Sequence, residues 1–275
     1  MSTVQPLEPG SRYDLRMGIS PDAPDEDKIK DEEGLFGYCH SYETSSRYDG
    51  PGLRVVLFLS GCLLRCTYCH NPDTWHLKDG TYVSVEQVLR RLGDFAPALL
   101  SLGGGLTISG GEPMVQLAFT RRIFAGAKEM GLHTAIETSG FLGDRADDSY
   151  LSAIDLVLLD IKTWDPERHR HLTGMDNAPV LTFARRLAER KRPIWLRFVL
   201  VPGLTDDAED IAHIASFTGG LGNVERVDVL PFHQMGRYKW KELGLNYTLE
   251  DVDPPSGDLI ERTCAQFRSE GLKAY

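Results

Sequence analysis

Six short runs of apolar, largely branched residues punctuate the chain: RVVLFLS (54–60), GLTISG (105–110), TAIETS (134–139), LVLLDIK (156–162), IWLRFVLV (194–201) and VERVDVLPFH (224–233). Runs of this length and texture are expected of strands covered on both faces. Between them lie stretches with helical spacing. Phe119, Ile123, Ala127 and Met130 share one face, as do Leu181, Ala184 and Ala188, and again Ile211, Ile214 and Ala215. The stretch SGDLIERTCAQFRSEG offers a helix start at Ser256 or Asp258 and a stop at Gly271. Strands alternating with helices predict a parallel α/β layout, either an open sheet or a partial (β/α) barrel.

A chain of 275 residues suffices for one well-buried domain of this class. Residues 1–33 are rich in Pro, Asp, Glu and Gly and lack a repeating apolar face, so they are expected to form a flexible acidic extension ahead of a domain spanning 34–275. The formal charge of -10, with no compensating basic run, argues against a general nucleic-acid or membrane surface. No apolar stretch approaches the length of a membrane span, and MSTVQPLEPGSR lacks the pattern of a secretory leader. A soluble cytoplasmic protein is the expectation.

Polar residues gather at the carboxyl ends of nearly every expected strand: Gly110-Gly111-Glu112, Glu137, Asp160 with Lys162, and His233. That end is where α/β sheets build their sites. The strongest chemical signal follows the first strand, in CLLRCTYCHNPDTW (62–75). Cys62, Cys66 and Cys69 stand at CxxxCxxC spacing, while Cys39 and Cys264 are isolated and are read as plain thiols. Zinc would need a fourth protein ligand, and His70, adjacent to Cys69, is poorly placed to be one. Three thiolates instead suit three irons of a [4Fe–4S] cube, with the fourth iron open to a non-protein ligand.

CxxxCxxC is the signature of the radical S-adenosylmethionine (SAM) enzymes. YDGPGLR, GCLLRCTYCHNPDTW, TISGGEP, HTAIETSGF, LLDIK, LVPGLTDD and LPFHQMGRYKW extend the likeness from about Gly34 to Tyr275. FHQMGRYKW together with DGPG resembles the activases of glycyl radical enzymes within that superfamily. The resemblance implies a partial (β/α)6 barrel of the TIM type. It implies a [4Fe–4S] cluster on Cys62, Cys66 and Cys69, reductive cleavage of SAM, and removal of a glycine α-hydrogen from a partner protein by the 5'-deoxyadenosyl radical. It assigns Tyr68, Gly110, Gly111, Glu112, Glu137, Lys162, Arg197 and His233 to cofactor binding. It also assigns Glu137, Thr138 and Asp160 to a monovalent cation, Na+ or K+, and Asp49, Gly50, Pro51 and Gly52 to the substrate loop. His70 is read as a neighbour of the cluster, not a ligand. Glu137 stands where the family pattern has Asp, and Ser139 where it has Asn. The absence of further C-x2-C pairs favours the branch acting on pyruvate formate-lyase over activases of other glycyl radical proteins. A flavodoxin-like or ferredoxin-like electron donor and a monomeric state are implied with it. A simple electron-transfer protein, which would use four protein ligands, is the alternative class.

Overall fold

The computed structural model describes residues 33–275, so the segment expected as an acidic extension, residues 1–33, lies outside them except for Glu33. Among these residues eight strands form: β1 (Phe36–Ser46), β2 (Arg54–Leu59), β3 (Thr81–Ser84), β4 (Gly105–Gly110), β5 (His133–Thr138), β6 (Leu156–Asp160), β7 (Ile194–Leu200) and β8 (Val224–Pro231). The helices of the alternation are α1 (Val85–Ser101), α2 (Leu117–Glu129), α3 (Asp148–Ser152), α4 (Pro166–Thr173), α5 (Ala178–Glu189), α6 (Ala208–Leu221), α7 (Arg237–Glu242) and α8 (Gly257–Ser269).

All strands belong to one sheet ordered β3-β1-β2-β4-β5-β6-β7-β8. From β2 to β8 every neighbouring pair is parallel, and each new strand adds beside the previous one. A sheet wound in one direction has no switch point, so it curls into a barrel with helices outside instead of lying open between two helical layers. β1 and β3 extend the β2 edge as an antiparallel pair. At the other edge the chain's last residues lie along β8, where Val227 N–H donates to Lys273 O at 2.9 Å and Val229 N–H to Tyr275 O at 3.0 Å. Both flanks of the parallel array are thereby covered.

Strand side chains alternate between two faces. Leu57, Ile108, Ile136, Leu159, Phe198 and Val229 point outward into the main core with Phe119, Phe183, Ile214 and Phe267 from the helices. The inner face carries a small apolar floor of Ala135, Leu156 and Leu158 with Trp195 against it. Above and beside that floor the in-phase residues are polar, including Thr107, Ser109, Glu137, Asp160, Arg197 and Asp228. In α5 the buried face is Val180, Phe183, Ala184 and Leu187, which keeps the expected Ala184 but lies one residue round the helix from the expected Leu181 and Ala188, because Phe183 is the large side chain that fills the space. Of the expected α2 face Phe119, Ile123 and Ala127 are buried while Met130, at its C-cap, is half-buried; the expected α6 face is buried, and α8 starts at the Ser256 cap and is followed by Gly271 in the left-handed region.

Helix α1 begins with a reciprocal cap: Gln87 N–H donates to Ser84 Oγ at 3.1 Å, and Ser84 N–H donates to Gln87 Oε1 at 2.8 Å. Ser84→Ala should therefore cost about 1 kcal/mol of unfolding free energy. Ser84→Asp should retain most of it, as read from chemical denaturation midpoints.

Candidate functional site

The site begins where the chain leaves β2. Gly61 adopts φ +95°, and the loop that follows carries the three clustered cysteines. Gly61 N–H donates to Thr74 O at 2.7 Å and Cys62 N–H to Trp75 O at 3.1 Å, so residues 61–75 return to their own starting point. Arg65 and Thr67 fasten the middle of the loop to the end of α4 through Thr173 O and Leu172 O, at 2.7 and 2.9 Å. Burial raises the pKa of all three thiols, with Cys66 reaching about 12 despite the opposing charge of Lys162. Burial disfavours the thiolate charge, and a ligated metal would offset it as the protons leave.

The glycines at the end of β4 serve a close approach of the chain to itself. A Cβ on Gly110, at φ +113°, would lie 2.3 Å from Leu59 N and O, and one on Gly111 would lie 2.4 Å from Gly61 O. Gly111 N–H donates to Leu59 O and Glu112 N–H to Gly61 O, both at 2.8 Å. The buried Glu112 carboxylate is turned toward the end of β5. It accepts from Thr138 Oγ1 at 2.7 Å, from Ser139 Oγ at 2.6 Å and N at 3.0 Å, and from Met114 N at 3.2 Å. Burial pushes its pKa up, and the Ser139 and Thr138 bonds pull it back.

A cavity of about 310 Å³ lies at this end of the sheet. Cys62, Cys66 and Cys69 line it, with Tyr68, Gly110 and Gly111 beside them. Glu137, Thr138, Asp160, Lys162 and Arg197 form its other wall. Lys162 lies just past β6, not within it, and its Nζ meets Asp160 Oδ2 at 2.6 Å and lies 5.3 Å from the Tyr68 ring centre. Burial opposes its charge, yet Asp160, Tyr68 and Cys66 hold its pKa well above the ordinary value. Glu137 Oε2 accepts from Ser109 Oγ at 2.5 Å, and its other oxygen lies 3.7 Å from Arg197 Nε. Arg197 Nη2 donates to Tyr48 O at 2.8 Å and to Asp49 Oδ1 at 3.1 Å, which joins the Asp49–Gly52 loop to the cavity wall. Asp160 Oδ1, Tyr68 Oη and Arg197 Nε are buried without a hydrogen-bond partner.

Two of the residues expected to bind cofactor stand outside that wall. Glu112 lies behind it, and His233 stacks on His70, with ring centres 3.9 Å apart. His70 itself lines the cavity and meets His233 O at 3.1 Å. Gly236 permits this approach, since a Cβ there would sit 2.7 Å from the His70 Cα. Lys239 and Trp240, in the GRYKW stretch, strap the cysteine loop. Lys239 Nζ reaches Asn71 Oδ1 at 2.8 Å and Asp73 Oδ2 at 2.8 Å, while Trp240 Nε1 donates to Cys69 O at 2.8 Å and its ring meets Trp75 edge-on at 5.2 Å. Ser109 and Asp228, also unpicked from sequence, are visible in retrospect as polar breaks at every second position of apolar strands.

The Radical SAM superfamily model matches residues 56–215, more than half of the chain. The chain belongs to the radical SAM superfamily. It is 45% identical over 234 residues to the pyruvate formate-lyase-activating enzyme of Staphylococcus epidermidis, covering 82% of this chain and 93% of that protein. The Staphylococcus aureus enzyme of the same name is 44% identical over the same span and shares. Among solved structures, a domain of the pyruvate-formate lyase-activating enzyme from Bacteroides vulgatus superposes with TM-score 0.53 at 26% identity, over 63% of this chain and 98% of that one. A radical SAM methyltransferase from Sphaerobacter thermophilus shares the fold alone, with TM-score 0.57 at 17% identity over 83% of this chain and 70% of its own.

Membership of the radical SAM superfamily implies SAM and a [4Fe–4S] cluster as cofactors. The residues present fit that cluster: three thiols line one cavity whose opposite wall carries unpartnered polar atoms. Among the described residues no three histidine, cysteine or carboxylate side chains are grouped for a single metal ion. A cube, which takes one thiolate per iron, does not require such a grouping. A larger groove of about 910 Å³ between α1 and α2 contains none of the cysteines. Replacing Trp240 by Phe should keep the ring packing and delete the donor to Cys69 O. Loss of one such bond, about 1 kcal/mol, should speed iron release to a chelator roughly fivefold at unchanged circular dichroism.

Proposed function

We propose that residues 34–275 form the catalytic unit of a glycyl radical enzyme activase whose partner is pyruvate formate-lyase (formate C-acetyltransferase). The observation that carries this reading is the single cavity shared by the CxxxCxxC thiols and the Asp160–Lys162 pair, linked through Arg197 to the Asp49–Gly52 loop. The near full-length likeness to pyruvate formate-lyase-activating enzymes supports the choice of partner. In this reading Cys62, Cys66 and Cys69 would hold the cluster, each by one thiolate, and no fourth protein ligand would be needed. When bound, the reduced cluster and SAM supply a 5'-deoxyadenosyl radical, which takes a hydrogen atom from a glycine α-carbon of the partner.

The chain's own residues bind, orient and exclude. Lys162 offers a buried ammonium to the SAM carboxylate, and Arg197 places positive charge beside it. Tyr68, Gly110 and Gly111 shape the wall, Glu112 braces it from behind, and His70 stacked on His233 closes one side of the cluster loop. Burial keeps water from the reacting atoms. Glu137, Thr138 and Asp160 are the oxygen donors for a monovalent cation, Na+ or K+, which offsets their charge and that of the SAM carboxylate. Asp49, Gly50, Pro51 and Gly52 receive the substrate loop. The electron comes from a flavodoxin-like or ferredoxin-like donor, and the enzyme acts as a cytoplasmic monomer. Among the described residues no helix is long and apolar enough to cross a membrane. Activation of a different glycyl radical enzyme is the second reading.

The deciding experiment is anaerobic incubation of the reduced protein with SAM and either pyruvate formate-lyase or another glycyl radical enzyme, followed by electron paramagnetic resonance. A glycyl doublet on pyruvate formate-lyase is expected; a doublet only on the other partner would select the second reading. Cys62→Ser, Cys66→Ser and Cys69→Ser should each abolish the intact cluster by iron and sulfide counting and by Mössbauer spectra. Cys39→Ser and Cys264→Ser should leave it intact. SAM affinity should fall when K+ or Na+ is replaced by a bulky organic cation, and Glu137→Gln should weaken SAM binding with the cluster retained. Equal affinity in all three salts, with a wild-type glutamine variant, would remove the cation from the scheme.

A further inference from the structure

We infer that Arg54 is a positioning residue that acts through Thr107 and Pro51 to hold the Asp49–Gly52 loop at the height the substrate backbone requires. The inference rests on the reading of that loop as the substrate platform. Arg54 opens β2 on the inner face of the barrel and is completely buried. A buried guanidinium is costly unless its donors are met. Here they are spread over two strands and the loop. Nε donates to Thr107 Oγ1 at 3.0 Å, Nη1 to Pro51 O at 3.4 Å, and Nη2 to the carbonyls of Leu106 and His133, the latter at 3.3 Å. Nη1 also lies 3.2 Å from His133 Nδ1.

The link through Thr107 has a fixed direction. Arginine can only donate, so the Thr107 hydroxyl accepts from Nε–H and has its own proton free. That proton goes to Asp49 O at 2.5 Å. The far side of the same residue is held by Arg197 and by the Ser46 hydroxyl, both on the Asp49 carboxylate. Asp49 is thus fixed by its carbonyl from below and by its side chain from the cavity. The two glycines record the same packing. Gly50 has φ +127°, and a Cβ there would meet Arg54 Nε at 3.1 Å. Gly52 has φ +67°, and a Cβ there would lie 2.3 Å from Gly103 O. The loop lies on the guanidinium and on the Gly103–Gly104 turn, with no room for a Cβ at Gly52 and little at Gly50.

A glycine substrate presents no side chain to grip, so its placement depends on the surface beneath its backbone. A displacement of about 1 Å at such a surface costs on the order of a hundredfold in the transfer step. None of the groups that Arg54 bonds is assigned to SAM, and Arg197 meets Asp49 through its carboxylate, not through the carbonyl that Thr107 holds. Loss of the support should therefore separate the two events: 5'-deoxyadenosine should still form, with fewer glycyl radicals for each molecule made.

The test uses the full chain with a reconstituted cluster, SAM and intact partner protein. It compares wild type with Thr107→Val, Thr107→Ser and Arg54→Lys. Iron content, SAM affinity, 5'-deoxyadenosine and the glycyl doublet are measured together. The expected result is wild-type iron and SAM affinity throughout. The yield of glycyl radical per 5'-deoxyadenosine should fall about tenfold or more in Thr107→Val and Arg54→Lys, and Thr107→Ser should restore it. If wild type forms no glycyl radical on any partner, the reading of the site fails and the inference with it. If wild type does so and Thr107→Val and Arg54→Lys keep its yield, the inference alone is overturned. It is equally overturned if iron, SAM affinity and radical yield fall together in both variants, since Arg54 would then serve only the fold.

Discussion

Two backbone hydrogen bonds, from Gly111 N–H to Leu59 O and from Glu112 N–H to Gly61 O, fasten the root of the cysteine loop to the end of β4. They form only because Gly110 and Gly111 let two chain segments approach within a distance that any side chain would block. Glu112 then carries the fastening across to β5 through Thr138 and Ser139. A buried carboxylate with four hydrogen-bond donors tolerates its charge, whereas losing it would leave those donors unmet at a cost of about 1–3 kcal/mol each. The ends of β2, β4 and β5 thereby become one rigid rim from which the thiols project.

The inner face poses an electrostatic problem that the chain solves only in part. Arg197 is surrounded by Asp49, Glu137 and Asp228, which hold its pKa above the usual value although burial opposes its charge. Asp228 is shared with Arg226 at 2.5 Å, and Asp160 with Lys162. Asp160 Oδ1, Asp228 Oδ2, Arg197 Nε and Tyr68 Oη remain without partners. Buried atoms of that kind are rare in a finished core, and Asp160, Arg197 and Tyr68 line the cavity. A zwitterionic ligand with an additional positive charge, as SAM is, brings both donors and acceptors to such a wall.

The parallel strands were legible because each is a compact apolar run, and all six formed with ends within two residues of the expectation, the largest differences falling at Lys162 and His233. Those two lie past the last ladder bonds, where pattern no longer constrains the chain. β1 was not legible: FGYCHSYETSS mixes polar and apolar residues because one of its faces is half exposed. α1 was also passed over, although the Ser84–Gln87 cap and the apolar spacing of Val88, Leu92 and Leu99 announce it. The site was read mainly from strand ends and from resemblance. The Glu112 brace, the Lys239–Trp240 strap and the Arg54 support depend on contacts between residues 26 to 171 positions apart, which no local pattern encodes.

The size of the cavity has a consequence for the partner. A space of about 310 Å³, walled by the cysteine loop and the strand ends, is on the scale of the cofactors and excludes a folded domain. A glycine that sits inside another protein must therefore leave its own packing before it can reach this site. The population of that opened form scales the apparent affinity of the encounter, since only the competent fraction binds. Part of the control over radical installation then resides in the partner's local unfolding equilibrium, outside the chain that performs the chemistry.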